Sequence, residues 1–185
     1  MNKLFVISGS SGVGKGTVIK KLLQSNNSIK LSVSTTTRKP RDGEIHGEHY
    51  FFVEKEDFLK SVDNDEFIEW AEFSGNCYGT KKEFVENTLK NGQNVLLEID
   101  TQGALQIKEK LPETVLIFIA PPSIEELKKR LIGRGTETEE AIKKRLSCVE
   151  NEQKNSKYYD YTVINDTVEN AVLKLEEIFD KENQN

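Results

Sequence analysis

Between the apolar run Leu4-Phe5-Val6-Ile7 and an amphipathic stretch through Ile19, Leu22 and Leu23 lies Gly9-Ser10-Ser11-Gly12-Val13-Gly14-Lys15-Gly16-Thr17. The order strand, glycine loop, helix constrains this chain more than any other feature. Glycines let successive backbone N–H groups turn toward one anion, and the positive end of the following helix dipole points the same way. Lys15 adds a full charge on a flexible stem, able to follow terminal phosphates. The spacing fits a phosphate loop as far as the lysine and then departs from it. Gly16 stands where a Ser or Thr hydroxyl normally meets magnesium, and Thr17 comes one residue later. The plainer alternative is a Gly/Ser turn joining a strand to a helix.

Further apolar runs suited to buried parallel strands are Val95–Ile99, Val115–Ile119 and Tyr161–Ile164. Helical patterns separate them. In the last, Val168, Ala171, Val172, Leu175, Ile178 and Phe179 share a face, and Asp166 with Glu169 has capping-box spacing. The alternation predicts an α/β fold with a parallel sheet covered on both faces and its ligand at the carboxyl ends of the strands. Two stretches interrupt it. From about 34 to 82 come short alternating segments, His49–Val53, Glu66–Phe73 and Asn76–Thr80, read as a small antiparallel insert. From about 123 the chain is highly charged, and Gly133 and Gly135 bracket Arg134. That pattern fits either a segment closing over a ligand or a solvated helix and its turn.

Several groups carry possible chemistry. In Ser34-Thr35-Thr36-Thr37-Arg38-Lys39-Pro40-Arg41 two guanidiniums lie among hydroxyls, with Pro40 stiffening the turn. Guanidinium forks bind phosphate oxygens in pairs, so this is a second phosphate site or else a solvated basic turn. Glu69 shares a period-two face with Phe67, Ala71 and Phe73. A carboxylate there either meets paired donors, such as N1 and the amine of guanine, or reaches solvent from an edge strand. Asp100 ends a core strand, a place for a carboxylate holding magnesium through water or for a helix cap. Arg130 and Arg134 flank the second interruption, and Arg145 falls on the stripe of Ile142, Leu146 and Val149. An inward arginine requires an anion or a carboxylate. His46 and His49 have metal-like spacing but no third ligand of their type nearby.

Composition narrows the classes. The 185 residues suffice for one core. A formal charge of −5 opposes a general nucleic-acid surface. Cys77 and Cys148 lack metal or disulfide spacing, which fits unpaired thiols in a reducing compartment. Glycine follows only a short apolar run at the N-terminus, and no stretch approaches a membrane span. The expectation is a cytoplasmic protein without nucleic-acid or membrane partners.

The loop ending Gly14-Lys15-Gly16-Thr17, the turn Thr36-Thr37-Arg38-Lys39-Pro40-Arg41 leading to Glu44, Gly47, Tyr50 and Phe52, and Ile164-Asn165-Asp166 together resemble guanylate kinase, over nearly the whole chain. The resemblance implies a P-loop, three-layer parallel-sheet core (1–33, 83–122 and 157–185). To this it adds a small mixed α/β GMP-binding insert (about 34–82) and a helical lid (about 123–156). It implies transfer of the ATP γ-phosphoryl group to GMP, and to dGMP, giving ADP and GDP, by a monomer or homodimer using Mg²⁺. Carried over, the loop Gly9–Thr17 with Arg130, Arg134 and Asn165 would hold ATP. Ser34, Arg38, Arg41, Tyr50 and Tyr78 would hold the GMP phosphate, and Glu69 and Thr80 the guanine. Asp100 would sit beside the acceptor phosphate and, through water, the metal, with Thr17 as a further metal contact. Lys15, Arg38, Arg134 and Arg145 would be catalytic. The alternatives are a non-catalytic guanylate-kinase-like module that binds proteins, which typically loses the loop lysine or the arginines, and a kinase for another monophosphate.

Overall fold

The structure, a computed structural model, describes residues 2–133, 149 and 155–184. Its elements in chain order are β1 (Leu4–Gly9), α1 (Lys15–Ser25), β2 (Ile29–Leu31), β3 (Thr35–Thr36), β4 (Phe51–Phe52) and α2 (Lys55–Asp63). Then come β5 (Phe67–Phe73), β6 (Asn76–Lys81), α3 (Lys82–Lys90), β7 (Asn94–Glu98), α4 (Thr101–Lys110), β8 (Val115–Ala120), α5 (Ile124–Gly133), β9 (Tyr161–Ile164) and α6 (Val168–Gln184).

The apolar runs pair as a five-stranded parallel sheet in the order β2-β7-β1-β8-β9. β1 and β8 are buried at every position, as strands sandwiched between helices must be. Alternate residues feed two cores. Phe5, Ile7, Ile117 and Ile119 pack with Val18, Ile19 and Leu22 of α1 and the stripe of α6. Phe5 meets Phe179 edge-on at 4.4 Å between ring centroids. On the other face Leu4, Val6, Leu97 and Leu116 pack with Val85 of α3 and Ala104 and Ile107 of α4. Each such side chain contributes about 1.5–3 kcal/mol by burial, so the three layers are held chiefly by these two apolar interfaces.

A second hydrogen-bonded sheet, β4-β3-β6-β5, is separate from the first, with Ile68 of β5 packed into the core face of α3 and α4. It corrects the antiparallel expectation in part: β5–β6 and β3–β6 are antiparallel, but β3 and β4 run parallel. The chain between them makes a long connection through the arginine turn rather than a hairpin, which allows that direction. A second correction concerns Glu69. Between Phe67 and Glu69 the register with β6 slips by a residue, a bulge that reverses side-chain alternation. Phe67 therefore faces Phe58 (centroids 4.6 Å apart) with Trp70, and Glu69 looks the other way with Ala71.

Two smaller differences concern the core. β2 was not among the expected strands; its three residues carry too short a pattern to register. α6 is capped by Thr167, not Asp166. The Thr167 hydroxyl accepts the Asn170 N–H, while the Asp166 carboxylate accepts the Thr167 N–H and the Asn170 side-chain amide. The shorter hydroxyl fits the capping position once the aspartate is occupied one residue earlier.

Candidate functional site

The loop after β1 turns inward at Gly12 (φ 84°) and Gly14 (φ 94°), conformations in which a Cβ is strained. α1 starts at Lys15 with no capping side chain and no acidic residue in its first turn, so its amino end keeps its positive character. Lys15 Nζ donates to the Gly9 carbonyl at 2.8 Å, across the loop. Asn165, at the end of β9, is buried and donates Nδ2 to the Val13 carbonyl at 2.7 Å, bracing the loop from below. The Ser10 hydroxyl is buried with no hydrogen-bond partner among the described residues. Thr17 is exposed on α1.

Beside the loop, β7 ends in two acids. Asp100 caps α4, its Oδ1 accepting the Gly103 N–H at 2.8 Å. Glu98 keeps solvent exposure where it lines a cleft; desolvation by the surrounding walls raises its carboxyl, and the Lys15 charge opposes this.

The arginine turn is closed on itself. Arg38 Nη1 and Nη2 donate to Oε2 and Oε1 of Glu44 at 2.9 and 2.8 Å, and the Arg41 N–H donates to Oε2 at 2.7 Å. These bonds hold the Glu44 carboxyl down to about 2. The Arg38 guanidinium carbon lies 5.4 Å from the Tyr50 ring centroid and 5.8 Å from that of Phe52, within cation–π range. The Arg41 residue itself is exposed. His46 and His49 are spent on the backbone, each accepting at Nδ1, from Phe52 and Ile45 respectively.

Glu69 is 4% exposed and accepts the Thr80 hydroxyl at 2.7 Å. Burial pushes its carboxyl up to about 7, the Thr80 bond opposing this and the Asp100 charge adding to it. Desolvation thus outweighs the hydrogen bond, and the group is left short of donors.

One cleft of about 400 Å³ joins these parts. Its lining includes Gly9, Ser11 and Lys15 of the glycine loop, Ser34, Tyr50, Glu69 and Tyr78 of the insert, and Glu98 and Asp100 at the end of β7. Arg38, Arg41 and Thr80 do not line it; Arg38 touches the lining residue Tyr50, and Thr80 is hydrogen-bonded to the lining residue Glu69. Arg130 lies on α5; Arg134 and Arg145, like Cys148, lie outside the described residues. The sequence reading missed Glu98, and it treated Glu44 only as part of a motif. The available signal for Glu98 was a charge at the end of the otherwise apolar Val95-Leu96-Leu97. For Glu44 it was an acid within a turn's reach of two arginines.

A glycine loop after the first strand of a parallel sheet, opening on a cleft at the strands' carboxyl ends, defines a P-loop nucleotide-binding protein. Comparison with known proteins narrows the class. The sequence profile described as guanylate kinase matches residues 1–182. Guanylate kinase of Prochlorococcus marinus is 52% identical over 95% of this chain and 95% of its own length. That of Clostridioides difficile is 53% identical over 97% and 87%. The crystal structure of guanylate kinase from Anaplasma phagocytophilum superimposes with a TM-score of 0.81 at 36% identity, covering 98% of this chain and 86% of that one. The chain belongs to the guanylate kinase family. No helix among the described residues is long and apolar enough to cross a membrane.

Proposed function

We propose that the chain transfers the γ-phosphoryl group of ATP to GMP, and to dGMP, giving ADP and GDP. The observation that carries this is the single cleft running from Lys15 to the buried Glu69, with Tyr50 and Tyr78 between. Its length is chemically ordered: a phosphate cradle at one end, an acceptor lacking donors at the other. Guanine supplies two adjacent donors, N1–H and the exocyclic amine, whereas adenine offers no such pair. Glu69, supported by Thr80, reads that edge. Ser34, Arg38, Arg41, Tyr50 and Tyr78 hold the GMP phosphate, and Gly9–Thr17 holds the ATP phosphates.

The acceptor oxygen belongs to a phosphate that is already anionic, so no general base is required. The residues' work is to align two mutually repelling polyanions and to neutralise charge spread over the transferring group. Lys15 follows the terminal phosphates, and Arg38 and Arg41 fix the acceptor. Arg130, Arg134 and Arg145, in a lid spanning about 123–156, close on the ATP side and exclude water. The insert of about 34–82 carries the acceptor toward the core.

A divalent cation fits the residues present. Glu98 and Asp100 offer two carboxylates at one strand end, and the described residues hold no cluster of three potential ligands. Magnesium is commonly bound by one or two carboxylates together with substrate phosphates. Asp100, through water, and Glu98 would hold it, with the Thr17 hydroxyl as the nearest candidate beyond Gly16. When bound, the ion would supply charge neutralisation for the substrate phosphates.

An ADP-release assay run separately with GMP, dGMP, AMP, UMP and CMP tests the reading. Activity confined to the guanine nucleotides is expected. Equal turnover of AMP, or none with any acceptor, rejects it.

A further inference from the structure

Gly103 sits in the first turn of α4, in ordinary helical backbone, where alanine would be favoured by about 1 kcal/mol. Backbone freedom does not account for glycine here. Space does. A Cβ at this position would stand 2.7 Å from Oε2 of Glu69 and 3.3 Å from its carboxyl carbon, with Ile99 Cδ1 also at 3.3 Å. The bare flank of α4 is thus one wall of the slot in which the Glu69 carboxylate lies, and the Thr80 hydroxyl bonds its other oxygen, Oε1. The same residue's N–H holds Asp100 Oδ1. One residue touches both acids at this part of the cleft.

We infer that Gly103 is a positioning residue for base selection: its missing side chain lets the Glu69 carboxylate lie back against α4, in the one place from which it faces the cleft while bonded to Thr80. This rests on the reading of Glu69 as the group that recognises guanine. The obstructing atom in a Gly103→Ala variant is the tip of a side chain rather than backbone, so the strain is relieved by moving the carboxylate. The fold survives and the recognition geometry does not.

The test is steady-state kinetics and thermal melting of Gly103→Ala, Glu69→Asp, Glu69→Gln and the double variant Gly103→Ala/Glu69→Asp. For Gly103→Ala we expect a Tm at or above that of the parent and a KM for ATP within about twofold. Its KM for GMP should rise at least about tenfold. In the double variant the shorter acid vacates the contested space, so the rise in GMP KM is smaller than the product of the two single effects. A normal GMP KM in Gly103→Ala, an equal rise for ATP and GMP, or multiplying single effects overturns the proposal. Should Gly103→Ala fail to fold, folding of the double variant supports the contact and failure of both overturns it. Glu69→Gln separates the two claims. If it leaves GMP KM unchanged, the base reading falls and this inference with it. If it raises GMP KM while Gly103→Ala does not, only the role of Gly103 falls.

Discussion

The loop Gly9–Thr17 and the turn from Thr37 to Glu44 both offer positive charge to an anion, but from opposite materials. The loop uses backbone amides and a helix end, grows out of the fully buried strand β1, and is braced through Asn165. The turn uses side chains on an outlying sheet, and its main cation is already engaged by Glu44 in a two-pronged ion pair. The first is ready-made, with its ordering cost met when the core folds. The second must share or exchange a carboxylate when a phosphate arrives, so its affinity reflects a competition between anions. A cradle of the first kind suits a ligand held in one pose. One of the second kind suits a ligand that must be carried.

Substitutions can break or sharpen this contrast. The largest effect is expected for Lys15→Ala. It should lower kcat at least about 10³-fold with an unchanged melting curve, since it removes the one mobile full charge of the rigid cradle. Arg38→Ala should cost about 10²-fold in kcat and raise GMP KM while ATP KM holds. Loss of ATP affinity in that variant would mean that the two cradles are not independent.

The base end adds a pH signature. On the proposed reading, the donors of guanine require Glu69 ionised, and burial raises its carboxyl to about 7. GMP KM should therefore rise about tenfold per pH unit below 7, and Glu69→Gln should flatten the profile. The sign for stability is opposite. A carboxyl raised on folding stabilises the folded chain at low pH, and this is lost as pH climbs from the ordinary carboxylate range to about 7. Glu69→Gln should then stabilise the ligand-free protein at pH 8 by up to about 3 kcal/mol, measured by denaturant unfolding.

Glu44→Gln sets two effects of this carboxylate against each other, its competition with the phosphate and its alignment of Arg38 and the Arg41 N–H; alignment is expected to dominate, raising GMP KM about three- to tenfold without touching ATP. A drop in GMP KM would show instead that Glu44 acts mainly as a competitor. Asn165→Ala should give the smallest kinetic change and cost about 1–2 kcal/mol in stability, through the unsatisfied Val13 carbonyl.

Much of this was legible in the sequence. Four of the five core strands were visible as apolar runs, the α6 stripe had a clear period, and the loop's spacing gave its place in the fold. What escaped shares a cause. Whether Asp166 or Thr167 caps α6 and which way Glu69 points are settled by single-residue offsets, and side-chain pattern carries no mark of an offset; the parallel run of β3 and β4 depends on the long connection between them, which pattern does not record either. Gly103 was invisible for a related reason. A glycine required by a neighbour 34 positions earlier in the chain looks like any helical glycine until the two are brought together. Glu98 and Asp100 show the limits of assigning one role per residue, since the aspartate both caps a helix and borders the cleft.

The slip in pairing at Phe67 has a consequence beyond local geometry. With regular pairing, aromatic ring and acid would point to the same side, so that either Phe58 would lose its stacking mate or the cleft would lose its acid. The irregularity acts as a half-step change of phase in the strand, letting Phe67 join an apolar cluster while Glu69, two residues on, lines the cleft. Deleting Ile68 would force those two demands into conflict, and the outlying sheet could then keep its packing or its selectivity, not both.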